Sequence, residues 1–320
     1  MKVTFKDVGQ GDSIIIEWDV DGIPKVGIID CKRNKKSNPV IQHISDKYKE
    51  IEFIILSHPH SDHYTGFPEL LSFIETNKIL VNRFGFTIKE IGTKFWNWFE
   101  ITSDETKVLE DIVKGVRRLR DELGLLKKIV PIEEDWSIPL GNGIEIRCIA
   151  PSFTEIEKYQ RQIKLGFAYD KQASKAANYL STIFWLKDSS NNILLTSDAV
   201  KEVFERIHNE SRFKDVNFIV CQAPHHGSYN CYSDIFWDNL IKPEDRKVVI
   251  SSGLHETYCH PHLATIKEFE KNGYTIYPTN IVYGVQEYLD ELSGSSLVLD
   301  MISEIDTSHI CNGDKEFIIN

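Results

Sequence analysis

The segment that most constrains this chain is an apolar run that ends in a cluster of histidines. Residues 51–58, IEFIILSH, have the continuous hydrophobic character of a strand buried on both faces as it leaves a sheet. Three histidines and one aspartate then fall within residues 58–63, HPHSDH. A loop that follows a strand does not form the regular hydrogen-bond ladder of a sheet, so its side chains are free to point toward one another. We therefore expect these side chains to converge.

The chemistry of this loop points to metal binding. Imidazole nitrogens and carboxylates suit zinc, and sets richer in oxygen suit manganese. Four donors are too many for one tetrahedral ion that must also keep a water, so they fit two neighbouring ions better. The sequence therefore predicts two divalent ions, Zn²⁺ or Mn²⁺, beside His58, His60, Asp62 and His63. The alternative, a histidine-rich surface loop, is disfavoured by the density of so uncommon a residue.

The rest of the chain has two strand-rich halves around a helical middle. Apolar residues recur at three- and four-residue steps from Thr106 to Lys128, which predicts a helix with one buried face. Strand patterns precede the histidine loop and resume at 144–151, 180–188, 192–198, 217–224 and 246–253. This order predicts a β-sandwich with helices outside, as one domain over residues 1–320 with a helical and aromatic insertion around 85–140.

Composition limits the class of protein. Hydrophobic residues make up 41% of the 320 residues, which is enough for a large core, and 37 basic against 48 acidic residues give a net charge of -11. This acidity disfavours a broad surface that coats nucleic acid. No apolar run approaches a membrane span, no signal peptide is recognisable, and the six cysteines are scattered. We expect a cytoplasmic protein without a membrane partner.

Several motifs together resemble a known family. His58-Pro-His60-Ser-Asp62-His63 matches the HxHxDH signature of the metallo-β-lactamase fold superfamily. The surrounding motifs resemble the hydrolase domain of the competence protein ComEC, and they come in that family's order: GQGDS at 9–13, IIDC at 28–31, NYLS at 178–181, LLTSDA at 194–199, APHHGS at 223–228 and YCHP at 258–261. The resemblance implies a four-layer αββα metallo-β-lactamase sandwich of the α/β class.

The resemblance also implies roles for individual residues. Asp198 ends a hydrophobic strand and would bridge the two cations. The alternative is a turn aspartate, which is common on its own but weak beside the other motifs. His226 is the preferred ligand of the His225–His226 pair, since Gly227 lets the backbone turn and present it. Asn178 stands where the superfamily more often has a histidine, and it is a candidate contact of metal or substrate.

Other roles rest on general chemistry. Asp62, His225 and His260 are candidates for catalysis, the two histidines as donors of a proton to the leaving group. His260 is as easily structural. Asp12 and Asp30 would hydrogen-bond metal-ligating histidines and fix their tautomers, with turn formation as the alternative.

The predicted function is hydrolysis by a water that two metals activate. The resemblance implies phosphodiester substrates, hence a nuclease or related phosphodiesterase. Arg117 and Arg118 on the predicted helix could follow a nucleic-acid backbone, although a solvated helix face is the more ordinary interpretation. The aromatic run FWNWFE at 95–100 could stack bases or lie in the core. Two alternatives stay open: a small-molecule hydrolase of lactones, esters or phosphorylcholine esters, and a non-catalytic metal-binding partner subunit.

Overall fold

The fold consists of two β-sheets with helices outside each of them. The computed structural model describes residues 1–35, 37–87, 103–162, 176–188, 191–210, 213, 215–241, 244–296 and 306–319. In those ranges, the first sheet has eight strands: β1 (Lys2–Phe5), β2 (Ile14–Val20), β3 (Ile23–Ile29), β4 (Glu50–Ile51), β5 (Phe53–Leu56), β6 (Leu80–Phe86), β7 (Leu126–Pro131) and β15 (Lys315–Ile318). Its order is β15-β1-β2-β3-β5-β6-β4, with β7 pairing with β6.

Within the same ranges, the second sheet has seven strands in the order β14-β13-β12-β11-β10-β9-β8. These are β8 (Ser137–Gly141), β9 (Ile144–Ala150), β10 (Ile183–Lys187), β11 (Asn192–Leu195), β12 (Phe218–Gln222), β13 (Lys247–Ile250) and β14 (Thr275–Pro278). The four strands from β11 to β14 run parallel, as do β3, β5, β6 and β7 in the first sheet. The polar segments that follow parallel strands therefore collect at one edge of each sheet.

The described helices are α1 (Pro39–Ile44), α2 (Ser61–Tyr64), α3 (Phe67–Asn77), α4 (Ser103–Arg117), α5 (Phe153–Gln162), α6 (Lys201–His208), α7 (Asp234–Trp237), α8 (Leu263–Lys271) and α9 (Gly284–Ser296). Local signals account for several boundaries. Asn38 caps α1 by accepting hydrogen bonds from two backbone N–H groups, and Lys78 ends α3 in the left-handed conformation. None of the helices in the described ranges is long and apolar enough to cross a membrane.

Among the described residues, strand alternation creates three separate cores. In β5, Phe53 and Ile55 pack between the two sheets, whereas Ile54 and Leu56 pack on the opposite face, against α1, α3 and α4. On the far side of the second sheet, a third core contains apolar residues of α6, α7, α8 and α9, such as Phe204. Three cores between four layers are the αββα arrangement, so the fold-class prediction is confirmed.

The predicted helix over residues 106–128 ends early. Its buried face is present: Leu109, Ile112, Val113, Val116 and Leu119 are all buried. After α4, however, a wider helical turn ends at Glu122, and Gly124 adopts a positive φ of 64°. Glycine takes this conformation without strain, so the chain reverses there and Leu126 begins β7 beside β6.

The predicted insertion around 85–140 is only partly described. Its described part contains α4, which packs on the first sheet, and also β7 and β8, which are strands of the two sheets. The aromatic run at 95–100 lies outside the described residues. Its predicted stacking or core role therefore stays a prediction.

Candidate metal centre

The histidine-rich loop lies where β5 leaves the first sheet. His58 follows the strand and is buried, while His60 precedes the single turn of α2, which carries Asp62 and His63. His63 is buried, and Asp62 is more exposed. The Nε2 atom of His58 lies 3.1 Å from Nδ1 of His60. The short helix thus turns consecutive residues of one loop toward a common point.

Asp198 comes from the second sheet and lies between two groups of these side chains. Its Oδ1 atom is 3.5 Å from His63 Nε2 and 3.4 Å from His226 Nε2. Its Oδ2 atom is 3.6 Å from His58 Nε2 and 3.5 Å from His225 Nε2. The two oxygens of one buried carboxylate therefore face two different sets of donors.

These donors form two candidate ligand groups. Asp62, His63, Asp198 and His226 make one group, and His58, His60 and Asp198 make the other, each with its donor atoms within 4.8 Å of one another. The Nε2 atom of His226 also lies 3.3 Å from Oδ2 of Asp62. Each group thus contains the nitrogen and carboxylate donors that zinc accepts.

The side chains present fit bound cations. In the described chain, the Nε2 atoms of His63 and His226 and the Oδ1 atom of Asp198 are buried without a hydrogen-bond partner. A buried polar atom without a partner is costly unless something else satisfies it. Two donors that each lie about 2.0–2.1 Å from a tetrahedral zinc ion are about 3.4 Å apart. The four distances from the Asp198 oxygens are 3.4–3.6 Å.

The paired histidines are presented by a strained turn after β12. His225 and His226 have φ values of 47° and 56°, and Gly227 follows with 84°. Residues without glycine's freedom rarely adopt this region, and they do so mainly where the surrounding structure imposes it. A side chain at Gly227 would also meet Cβ of Pro261 at 2.6 Å. The turn that the sequence predicted at Gly227 is therefore present.

Hydrogen bonds fix which nitrogen of two histidines faces the centre. The Nδ1 atom of His226 lies 2.7 Å from the carbonyl oxygen of Ser251, to which it donates. The Nδ1 atom of His63 lies 2.7 Å from Oδ2 of Asp30, whose carboxylate also accepts hydrogen bonds from the backbone N–H and the hydroxyl of Ser57. Both imidazoles therefore turn Nε2 toward the centre, where it could bind a cation that displaces its proton.

Asp12, the other predicted partner of a histidine, is placed differently. Its Oδ2 atom is 3.9 Å from Nδ1 of His63, beyond hydrogen-bond distance, and accepts a 2.8 Å hydrogen bond from Nε2 of Gln222. The Oε1 atom of Gln222 in turn accepts from the backbone N–H groups of Thr196 and Ser197. Gln222 thus joins the first sheet's GQGD loop to the turn that carries Asp198.

Buried charges shift the pKa values in this region. Burial lowers the pKa of His63, but Asp198, Asp30 and Asp62 outweigh it and hold this pKa well above its ordinary range. The same opposition between burial and nearby carboxylates raises the pKa of His226 to about 9. For Asp198, burial raises the pKa, but the surrounding histidines outweigh it and lower it well below the usual value. The region therefore favours ionised carboxylates next to positive charge.

Asn178 and His260 lie at the side of the centre. The amide Nδ2 of Asn178 donates to Nδ1 of His225 over 3.3 Å, and its Oδ1 is buried with no partner among the described residues. The ring of His260 lies 5.5 Å from that of His225 and stacks on Tyr258 at 6.0 Å. Burial and nearby histidines lower the pKa of His260 to about 3. Both residues line the same open cleft of about 1090 Å³.

Arg117 and Arg118 lie elsewhere. Two guanidinium nitrogens of Arg118 donate to Glu75 over 2.7–3.1 Å, and a third donates to Glu122 over 3.0 Å. Neither arginine is among the described residues that line the cleft. The predicted basic helix face is thus separate from the candidate centre.

Gln222 and Lys32 are two of the residues in this region that sequence reasoning missed. Gln222 ends a buried apolar strand directly before the APHHGS motif, and this position was the available signal. Lys32 follows Asp30 and Cys31 after β3 and lines the cleft. No pattern in the sequence separates Lys32 from the other lysines.

No protein-family model matches this sequence, and no curated protein matches it significantly. Solved structures similar to it include the metallo-β-lactamase fold protein YhfI from Bacillus subtilis, with 9% identity, 87% of this chain and 95% of that chain covered, and a TM-score of 0.46. Zn²⁺-bound PqqB from Methylobacterium extorquens is 7% identical, with 87% of this chain and 98% of that chain covered and a TM-score of 0.42. A diphosphatase from the PhnP family is 12% identical, with 99% of this chain and 98% of that chain covered and a TM-score of 0.41. These likenesses concern the course of the chain and identify no substrate.

Proposed function

We propose that this chain is a metal-dependent hydrolase of the metallo-β-lactamase type that cleaves phosphodiesters, with nucleic acid as the first substrate class to test. One observation carries the proposal: the two oxygens of the buried Asp198 carboxylate face separate sets of histidine donors. A carboxylate in this position can bridge two cations and offset their mutual repulsion. The order of motifs, which resembles the ComEC hydrolase domain, supports the phosphodiester class.

The proposed metal ligands form two groups. Asp62, His63 and His226 would hold one divalent ion and His58 with His60 the other, while Asp198 would contact both. Bound Zn²⁺ or Mn²⁺ would supply an activated water and draw charge from the ester group under attack. Asp30 holds His63 in the tautomer that such a contact needs.

His225 and His260 would meet the leaving group. Both line the cleft, and burial lowers the pKa of each, so both imidazoles are neutral near pH 7 in the protein alone. A neutral imidazole can still donate one N–H hydrogen bond to a departing oxygen. We therefore assign them to hydrogen bonding with the leaving group, and proton donation by His260 becomes the weaker hypothesis.

The test is hydrolysis by metal-stripped protein before and after Zn²⁺ or Mn²⁺ is added. The substrates are bis(p-nitrophenyl) phosphate and a fluorescent single-stranded DNA. We expect metal-dependent cleavage of both. We also expect a loss of at least about 100-fold in Asp198→Asn, because even the removal of one hydrogen-bond donor to a transition state typically costs about 10²–10³ in rate, and this change removes the charge that faces both donor sets. Circular dichroism of the variant should stay near that of the unchanged protein. Cleavage that survives chelation and this substitution would overturn the proposal.

The charge of the cleft lining supports a second candidate function, the hydrolysis of small molecules. Lys32 is the one lysine or arginine among the described residues that line the cleft, so the described part of the cleft has no basic track for a long nucleic acid. A small ester, lactone or phosphorylcholine ester would need no such track. Turnover of these small substrates with silence on DNA would favour this candidate. Bound metal with no turnover at all would favour a non-catalytic metal-binding subunit.

We also propose a cytoplasmic location. All six cysteines are free in the structure. Such thiols persist in the reducing interior of a cell.

A further inference from the structure

The cleft beside the candidate metal centre contains one cationic side chain that the metal-binding arrangement does not use. Lys32 follows β3 in the same loop as Asp30, and its backbone N–H donates to Oγ of Ser13 over 2.8 Å. Among the described residues that line the cleft, Asp62, Asp198, Glu105 and Glu202 are acidic, and Lys32 is the one lysine or arginine. The position of Lys32 is thus tied to the loop that orients His63.

The side chain of Lys32 passes close to a glycine. A Cβ atom on Gly11 would lie 2.5 Å from Cδ of Lys32 and 2.1 Å from the carbonyl oxygen of Asp62. Gly11 also has a φ of 129°, which disfavours any other residue. The aliphatic part of Lys32 therefore crosses Gly11 next to the backbone of the Asp62 loop.

The ammonium of Lys32 has no ion-pair partner in the described part of the chain. Other basic residues, such as Lys2 and Arg118, lie within 4.0 Å of carboxylates. No carboxylate of the described residues lies that close to Lys32. Burial lowers the pKa of Lys32, and the carboxylates of Asp62 and Asp12 oppose this shift without making a direct ion pair. An anion that entered the cleft and contacted the ammonium would relieve the cost of burying it.

We propose that Lys32 binds a charged oxygen of the substrate, and that the substrate class is therefore an anionic phosphate ester and not a neutral lactone or carboxylic ester. This proposal rests on the proposed hydrolase function and deepens it. The side chains around Asp198 would hold the cations on one side of the phosphoryl group. Lys32 supplies a positive charge at the edge of the phosphoryl group. This charge would bind the negative charge of a phosphate ester, which a neutral ester lacks.

The first measurement is binding and does not depend on turnover. Inorganic phosphate is titrated by calorimetry into metal-loaded protein, into Lys32→Met, into Lys32→Arg and into the control Lys114→Met. Lys114 is an exposed lysine of α4 whose i,i+4 partner is Glu110. We expect Lys32→Met to weaken phosphate binding at least tenfold, Lys32→Arg to stay within about threefold, and the control to be unchanged. Equal affinities in Lys32→Met and the unchanged protein would overturn the proposal.

The second measurement separates anion recognition from a structural role. KM is compared for bis(p-nitrophenyl) phosphate, an anion, and p-nitrophenyl acetate, a neutral ester. Lys32→Met should raise KM for the phosphate at least tenfold and leave the acetate KM and the metal content within twofold. An equal loss on both substrates, or a loss of bound metal, would show that Lys32 supports the site's structure and would overturn the proposal. If the unchanged protein binds phosphate but cleaves no ester, the proposed function fails while calorimetry still decides the role of Lys32.

Discussion

Asp30 determines which nitrogen of His63 faces the candidate centre. Its Oδ2 accepts from Nδ1 of His63, and its Oδ1 accepts from the backbone N–H of Ser57. In Asp30→Asn, an amide N–H₂ would replace one of these accepting oxygens. If it faced Nδ1, His63 would need to move its proton to Nε2, the atom proposed to hold metal. We expect metal affinity to fall about 10–100-fold, the usual cost of losing such a partner.

The measurement is a competition titration of Zn²⁺ against a chelating dye. Asp12→Asn is the matched comparison, because Asp12 lies 3.9 Å from the same nitrogen and is bonded to Gln222 instead. We expect its loss of affinity to be smaller. If the two variants lose the same affinity, the 2.7 Å contact of Asp30 has no special role.

For individual residues, spacing in the sequence brought together only those that are local. Distant residues such as Asp198 and His226 came from the family resemblance, and other distant contacts were missed. His58, His60, Asp62 and His63 lie in one loop, so their spacing alone brought them together. The bond from Gln222 to Asp12 joins residues 210 positions apart. No periodic pattern specifies such a pair, and a polar residue at the end of a strand is common wherever a turn follows. The same holds for the placement of Lys32 in the cleft.

At the scale of elements, Glu17 links β2 to its surroundings. Its carboxylate accepts from the hydroxyl of Tyr48 over 2.6 Å, and it lies 2.7 Å from Nζ of Lys2 on β1 and 3.0 Å from Nε2 of His43 on α1. Burial raises the pKa of Glu17, but these hydrogen bonds outweigh it, and the pKa falls far below its ordinary range. We expect Glu17→Gln to lower the free energy of unfolding by about 1 kcal/mol at pH 7.

The pH dependence of this effect has a definite sign. A depressed pKa in the folded state stabilises the protein above the unfolded pKa, which is about 4.3 for glutamate. The difference in the free energy of unfolding between the unchanged protein and Glu17→Gln should therefore shrink as the pH falls below that value. Urea unfolding at pH 7 and pH 3 measures this difference in free energy. The control is Glu145→Gln, because Glu145 contacts Arg147 two residues away on the same strand. A difference that grows at pH 3 would contradict this assignment.

Elements were predictable where their pattern was long enough. The buried face of α4 was recognised because its apolar positions repeat one period several times, and β5 was recognised as part of the unbroken apolar run at 51–56. The four residues of β15 alternate between buried and exposed, which is too short to recognise, and their partner β1 lies at the other end of the sequence. The end of α4 was missed because the amphipathic pattern continues past Gly124 into β7.

At the scale of the whole molecule, the candidate centre joins the two sheets. His58, His60, Asp62 and His63 follow a strand of the first sheet, and Asp198 follows a strand of the second. Asp12, Asp30, Asp62 and Asp198 also place four carboxylates in this region. Burial raises the pKa of Asp12, and the charges of Asp198 and Asp30 raise it further, although His226 and His63 oppose them. Cations held here would both offset this repulsion and connect the two sheets.

Metal removal should therefore destabilise the whole fold and not only the cleft. Ions present at 100 times their Kd would contribute about 2.7 kcal/mol, and each kcal/mol moves Tm by about 2–4 °C in chains somewhat smaller than this one. We expect the chelated protein to melt several degrees lower and to recover on addition of Zn²⁺ or Mn²⁺, as followed by circular dichroism and calorimetry. Asp198→Asn loses the carboxylate that faces both donor sets, so its Tm should respond much less to metal. Identical melting curves for chelated and reloaded protein, with ions shown to be bound by elemental analysis, would mean that the sheets are held by their apolar cores alone.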